Sequence, residues 1–231
     1  TDCIEQRPHT GSARRFGQGR HPKSGPISLH LHGIGLRLQG QTRLGGVQAD
    51  VPCGLTWVTG DESTGKTSLL RLLAGELTPT EGHVQGYLNG SVAYGAAAWK
   101  PCVFWQDPRS TGLDAIVVQD YLAQQQHQWP QWQATLMAEL VSEFDLTDHL
   151  HKRFDMLSAG TRRKVWCGAA FASGAPLTLL DEPFAALDRT STRIVLELLQ
   201  EAVQHPTRTF VVADYEVPPE LQPDQRIHLR H

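Results

Sequence analysis

The chain has 231 residues, with 21 Lys plus Arg against 24 Asp plus Glu, a formal charge of −3 and 40% hydrophobic residues. That length suits one α/β domain with a sizeable core and a helical insertion. The near-balanced charge argues against a surface devoted to nucleic acid, and no apolar run approaches the roughly 20 residues of a membrane helix. Four scattered cysteines (Cys3, Cys53, Cys102, Cys167) show no C-x-x-C spacing, so a reducing compartment is expected rather than a disulfide framework or a metal–thiolate site.

Residues 1–26 are polar, carry Arg7, Arg14, Arg15, Arg20 and Lys23, and lack an apolar period. This predicts a disordered tail, too polar for a signal peptide, and the missing initial Met points to a fragment or a processed start. From Ile27 to Val51 apolar and polar residues alternate (Ile27, Leu29, Leu31, then Leu36, Leu38), as in half-buried antiparallel strands. His30 and His32 form an H-x-H pair there, but with no neighbouring Cys or carboxylate they read as a strand face rather than a metal site.

Leu55-Thr56-Trp57-Val58-Thr59 reads as a short buried strand, and Leu69, Leu70, Leu72 and Leu73 recur at helical spacing up to Gly75, a helix stop. Between them stands Gly60-Asp61-Glu62-Ser63-Thr64-Gly65-Lys66-Thr67, which matches G-x-x-x-x-G-K-[ST]. Each element serves phosphate. Backbone N–H groups point inward at the anion, Lys66 reaches the outer phosphates and the Thr67 hydroxyl serves Mg²⁺. The helix start, with Ser68, adds the positive end of a dipole. Gly60 to Ser68 are therefore candidate ATP-binding residues. Eight positions this loosely defined also match by chance, so the strand–loop–helix setting carries the assignment.

A helical insertion is expected at about 107–160, from the patterns Leu113–Gln126 and Trp132–Phe144 on either side of Pro130. Ser158 precedes a stretch in which Val165, Trp166, Ala169 and Ala170 share one face, which fits a helix N-cap. Leu177-Thr178-Leu179-Leu180-Asp181-Glu182 is an apolar run ending in two carboxylates, the form of a central strand delivering acids to its C-terminal edge. Alone it reads equally as a core strand and an Asp N-cap. With a phosphate loop upstream, Asp181 gains a Mg²⁺ water shell to accept from and Glu182 a water to polarise. Arg189–His205 forms an amphipathic helix with Ile194, Val195, Leu198 and Leu199 inward. Thr209–Ala213 is a further strand, and Ile227-His228-Leu229 a possible edge strand.

Leu157-Ser158-Ala159-Gly160-Thr161 stands 23 positions before Asp181, and Ala186-Leu187-Asp188 follows Glu182-Pro183 directly. In this order and spacing the chain resembles the ATP-binding cassette (ABC) ATPases over residues 27–231. Leu157–Thr161 looks like their signature motif, Asp181-Glu182 like the Walker B pair, Ala186-Leu187-Asp188 like the D-loop, and Gln106, 40 positions after Lys66, like the Q-loop glutamine. The resemblance implies an α/β P-loop NTPase core with a mainly parallel sheet, an antiparallel β-subdomain and a small helical subdomain. It implies ATP hydrolysis with Mg²⁺ served by Thr67, Gln106 and Asp181, and catalysis by Glu182, Lys66 and Gln106. It further implies a head-to-tail dimer in which a second subunit's Ser158 and Gly160 close the site.

The chain also departs from the family pattern. The histidine expected after Thr209–Ala213 is missing, and Asp214 is the residue assigned to face the γ-phosphate, which implies slow turnover; the alternative is that Asp214 points away, capped by a neighbouring amide, while Tyr215 or a partner's residue supplies the contact. Thr161 replaces a common glutamine, Asp61-Glu62-Ser63 replaces a neutral, glycine-containing turn, and Gly33–Leu38 offers no aromatic residue to stack on adenine. The expected role is the nucleotide-binding subunit of an ABC transporter, cytoplasmic, held at the inner face of the membrane by a permease, with a weaker resemblance to haem exporters of cytochrome c maturation. A soluble mechanical ATPase and a slow regulatory subunit stay open as alternatives.

Overall fold

The computed structural model describes residues 26–230. The tail expected over 1–26 lies, apart from Pro26, outside the described residues. In chain order the elements are β1 (Ile27–Leu38), β2 (Gln41–Val51), β3 (Gly54–Thr59), α1 (Lys66–Leu73), β4 (Glu81–Leu88), β5 (Ser91–Val92), β6 (Val103–Phe104), α2 (Val118–Gln128), α3 (Ala134–Glu143), α4 (Ala159–Ala172), β7 (Leu177–Asp181), α5 (Arg189–Ala202), β8 (Thr209–Ala213) and β9 (Gln225–His228). They build two sheets. One is antiparallel, in the order β2-β1-β4-β5; the other runs β6-β7-β8-β3-β9, with every pairing parallel.

Strand periodicity explains how the parallel sheet is buried on both faces. Leu55, Trp57, Leu180, Phe210 and Val212 pack toward α4 and α5, in one cluster with the apolar residues of α2 and α3. Val58, Leu177, Leu179, Val211 and Ala213 alternate with them and pack toward α1 and β1. The antiparallel sheet contributes Ile27, Leu29 and Leu31 to this second cluster, while His30 and His32 take its other face. Its turns are short. Gln39-Gly40 and Asn89-Gly90 both have positive φ at each residue, the conformation tight hairpins need.

Three expectations shift. The helix expected from Leu113 begins at Val118. The preceding residues pair with 150–155 instead, through Phe154 N–H to Ile116 O, Asp155 N–H to Asp114 O and a Val117–Arg153 bridge. The helix expected to reach His205 ends at Ala202, because Gln204 turns left-handed (φ 55°) ahead of Pro206. The face assigned to α4 is also too narrow, since all eight residues from Val165 to Ala172 are buried.

Candidate nucleotide site

β3 and β7 both end at the C-terminal edge of the parallel sheet, where open α/β sheets place their ligands. From β3 the chain enters the loop Gly60–Gly65 and then α1. Gly65 is left-handed (φ 96°), and a Cβ there would lie 2.2 Å from the Arg43 carbonyl oxygen, so no other residue fits. Ser63 adopts φ 63°, a conformation costing a non-glycine residue about 1–2 kcal/mol. Thr64 is buried and its hydroxyl donates to Asp61 O at 2.8 Å. The loop's two acids, Asp61 and Glu62, are exposed, which relieves the conflict expected between them and an anion in the loop.

Lys66 is 6% exposed, and its ammonium donates to Gly60 O (2.6 Å) and Asp61 O (2.9 Å) while lying 4.2 Å from the centre of the Tyr215 ring. One residue on, Thr67 Oγ1 donates to Asp181 Oδ2 at 2.7 Å, so the first turn of α1 is tied to the end of β7. Asp181 is buried and its other oxygen, Oδ1, has no hydrogen-bond partner among the described residues. Burial raises its pKa, and the Thr67 bond opposes that rise. Arg163 donates from Nη1 to the Asp181 carbonyl at 2.6 Å, a contact with no counterpart in the sequence reading. A buried carboxylate oxygen with free lone pairs beside a hydroxyl is an oxygen donor set of the kind Mg²⁺ takes, so the residues fit a hard divalent cation.

Gln106 shares with Asp181, Arg163 and Cys167 the lining of a cleft beside β7. Glu182 follows with φ 47°, its amide donating to Ala213 O at 2.8 Å, which fixes the carboxylate-bearing residue to the end of β8. Gly60–Ser68, Asp181, Glu182 and Gln106 thus gather at one edge of the sheet. Ser158 and Gly160 form a different part of the surface. Ser158 caps α4 by accepting from Thr161 N at 3.1 Å, and a Cβ on Gly160 would meet Ala186 O at 2.3 Å. Their contacts are to Thr161 and to the turn after Glu182, not to the phosphate loop.

Asp214, the residue assigned to face the phosphate, is partly buried at this edge, and its carboxylate interacts electrostatically with Glu182, Lys66 and Asp181. Asp214 N–H pairs with Val58 O, extending the β8–β3 ladder by one residue, and its Oδ1 accepts from its own neighbour, Tyr215 N, at 2.8 Å. It is Tyr215 whose ring covers the Lys66 ammonium.

This edge-on arrangement of strand, glycine loop, helix and acid-tipped neighbouring strand defines a P-loop NTPase fold. The family model described as ABC transporter matches residues 44–185. The taurine import ATP-binding protein TauB of Pseudomonas syringae pv. tomato is 31% identical over 199 residues, 82% of this chain and 73% of that protein. ATP-binding cassette sub-family A member 17 of Mus musculus is 29% identical over 151 residues, but those are 64% of this chain and 9% of the mouse protein. Among solved structures, a Pyrococcus furiosus chain described as an ABC transporter ATP-binding protein superposes with a TM-score of 0.70 at 21% identity, covering 87% of this chain and 97% of that one. A bacterial Atm1-family ABC exporter with ATP bound gives 0.66 at 16% identity, covering 92% of this chain and 39% of that one. At such identities the two structures speak for the fold alone. The chain belongs to the ABC transporter family, and it binds and hydrolyses ATP as a nucleotide-binding subunit.

Proposed function

We propose that ATP is bound as its Mg²⁺ complex across the edge formed by Gly60–Ser68 and Asp181, and that Glu182 drives its hydrolysis. The observation that carries this reading is the 2.7 Å bond from Thr67 Oγ1 to Asp181 Oδ2 with Asp181 Oδ1 left unpaired and buried. Thr67, Asp181 and Gln106 hold the ion, which when bound neutralises charge on the outer phosphates. The loop amides and Lys66 hold the phosphates, Lys66 exchanging the Gly60 and Asp61 carbonyls for phosphate oxygens. Glu182 accepts a proton from the attacking water as the water oxygen bonds to the terminal phosphorus and the bond to the ADP oxygen breaks.

Ser158 and Gly160 lie outside this edge, so on our reading they act in trans. A second subunit, docked head to tail, brings its α4 N-terminus and capping serine to the terminal phosphate, where a helix start favours an anion. Work is delivered to a membrane-spanning permease. No helix of the described residues is long and apolar enough to cross a membrane, so on this reading attachment at the cytoplasmic face comes through that partner. The relatives named as taurine import ATP-binding proteins support uptake as the direction of transport.

The test is calorimetric titration of ATP, with and without Mg²⁺, into the wild type and Lys66→Ala. Loss of a hydrogen bond to a charged group weakens binding by about 1.5–3 kcal/mol. Equal affinity in the two proteins removes the site from this loop.

A further inference from the structure

Tyr215 lies two residues past β8, and β8 sits between β3, which feeds the phosphate loop, and β7, which carries Asp181. Its ring is 4.2 Å from Lys66 Nζ although the residue is 50% exposed, so it is placed over the loop rather than packed into the core. The backbone that carries it is fixed. Asp214 N–H is tied to Val58 O at 3.0 Å, and Tyr215 N–H to Asp214 Oδ1 at 2.8 Å. A phenol is a hydrogen-bond donor, whereas an ionised Asp is an acceptor only.

We infer that Tyr215 contacts the substrate directly, its ring steadying the Lys66 ammonium and its hydroxyl donating a hydrogen bond to the terminal phosphate of bound ATP. This rests on the reading of Gly60–Thr67 as the nucleotide loop. A phenol is in its donor form at neutral pH, and the surrounding charges favour that form further. The Glu182 carboxylate foremost, then the slight burial of the group, with Glu62 and Asp214 adding, raise its pKa above the ordinary tyrosine value, and Arg109 opposes them. Those same acids repel a free anion, so a neutral donor beside Lys66 supplies attraction where the nearby carboxylates supply none. The contact has a specific consequence: it favours ATP over ADP, which lacks the phosphate that the hydroxyl meets.

The experiment uses the wild type, Tyr215→Phe, Tyr215→His and Lys66→Ala in Mg²⁺. Each is titrated with a non-hydrolysable ATP analogue and with ADP, and steady-state phosphate release is measured on ATP. Phe keeps the ring and removes the hydroxyl. A well-aimed donor to a developing oxyanion is worth about 10²–10³ in kcat, so Tyr215→Phe is expected to lose about tenfold or more in kcat. It should also bind the analogue several-fold more weakly, with ADP affinity unchanged. Tyr215→His, which restores a donor, should recover part of kcat. Thermal unfolding should coincide for wild type and Tyr215→Phe at this half-exposed position.

An unchanged kcat and an unchanged ratio of analogue to ADP affinity in Tyr215→Phe, with Lys66→Ala still losing nucleotide, overturns the role of Tyr215 and leaves the loop assignment standing. Equal weakening of both nucleotides also overturns it, because the contact then does not involve the terminal phosphate. If Lys66→Ala binds nucleotide as the wild type does, the loop assignment itself falls, and the inference falls with it.

Discussion

Thr67 Oγ1 donates to Asp181 Oδ2 across 2.7 Å, a bond between residues 114 positions apart that joins the first turn of α1 to the last residue of β7. It leaves Asp181 Oδ1 buried and unpaired, and burial pushes the carboxyl pKa upward. A buried carboxylate with a free oxygen is unfavourable until a cation meets it.

From this follows an expectation with two signs. In metal-free protein Asp181→Asn should leave thermal stability unchanged or raise it, on the order of 1 kcal/mol, because a poorly compensated buried charge is removed. In the same variant the gain in ATP affinity on adding Mg²⁺ should disappear. Thermal melts in EDTA and titrations with and without Mg²⁺ check both. A variant that keeps the full Mg²⁺ gain places the ion elsewhere.

Arg208 is buried beneath the C-terminal end of α4. Its guanidinium donates to Ala175 O at 3.0 Å, Phe171 O at 3.1 Å, Thr178 Oγ1 at 3.2 Å and Ala170 O at 3.3 Å. Two of these acceptors are terminal carbonyls of α4, and the positive charge suits that end of a helix. Burial brings its pKa down to about 9, still above neutrality, so the charge is kept at pH 7. Arg208→Leu should therefore cost about 3 kcal/mol, since several buried acceptors lose their donor together. Arg208→Lys should recover part of this at most, because an ammonium lacks the planar fork. Urea unfolding of the three proteins measures both differences. A loss below about 1 kcal/mol in Arg208→Leu means that the acceptors find other partners.

What the sequence made legible follows from which forces are local. The phosphate loop is contiguous, and the strands and helix around it carry unbroken apolar periods, so β3, α1, β7 and β8 could be read from residue order. β4 could not. Its residues Glu81–Leu88 include one buried position, Gly86, and only the partly buried Val84 and Leu88 pack on the core from the same face, too sparse a pattern to mark a strand without its ladder to β1. The start of α2 was lost to pairing with 150–155, a partner more than thirty residues away. At the site, Asp181 and Glu182 were readable because a strand ends on them. That the Tyr215 ring comes to lie over Lys66 beside the Asp214 carboxylate follows from how the chain leaves β8, with Asp214 N–H tied to Val58 O, which no sequence pattern encodes.

His205 predicts the acid side of the stability profile. Its Nδ1 accepts from Arg208 N at 3.0 Å and from Thr207 N at 3.3 Å, which only the unprotonated nitrogen can do. Burial first, then the Arg208 charge, lower its pKa from 6.5 to about 4. The unfolded chain therefore takes up this proton more readily than the native one. The stability it contributes is fully present above about pH 6.5 and is lost as the pH falls toward about 4. Asp188, held low by Lys164, starts to lose its contribution only as the pH falls into the ordinary carboxylate range, below the window in which His205 begins to respond. Denaturant unfolding at pH 7, 6 and 5 should show the wild type losing more stability than His205→Gln, whose amide oxygen accepts without titrating. Parallel losses in the two proteins assign the acid sensitivity to other groups.

Glu182→Gln separates binding from chemistry. The residue stands at φ 47° with its amide tied to Ala213 O at 2.8 Å, so its backbone position is set by β8 and not by its side chain. Gln keeps the volume and an acceptor oxygen but is too weak a base to take a proton from water. A positioned general base contributes about 10²–10⁴ in rate, so phosphate release should fall about a hundredfold or more. ATP affinity should stay within about threefold of wild type, because Lys66, the loop amides and Asp181 are untouched. Removing the carboxylate that most strongly raises the Tyr215 pKa moves the phenol back toward the ordinary tyrosine range, where it is still protonated at pH 7. The donor over Lys66 is therefore retained, and the loss cannot be charged to it. With hydrolysis blocked, Mg·ATP should hold two copies together, and light scattering after size exclusion should register a dimer that ADP does not support. Ordinary turnover in Glu182→Gln would hand the proton to another group, and blocked turnover without a dimer would argue that Ser158 and Gly160 serve something other than a second copy's nucleotide.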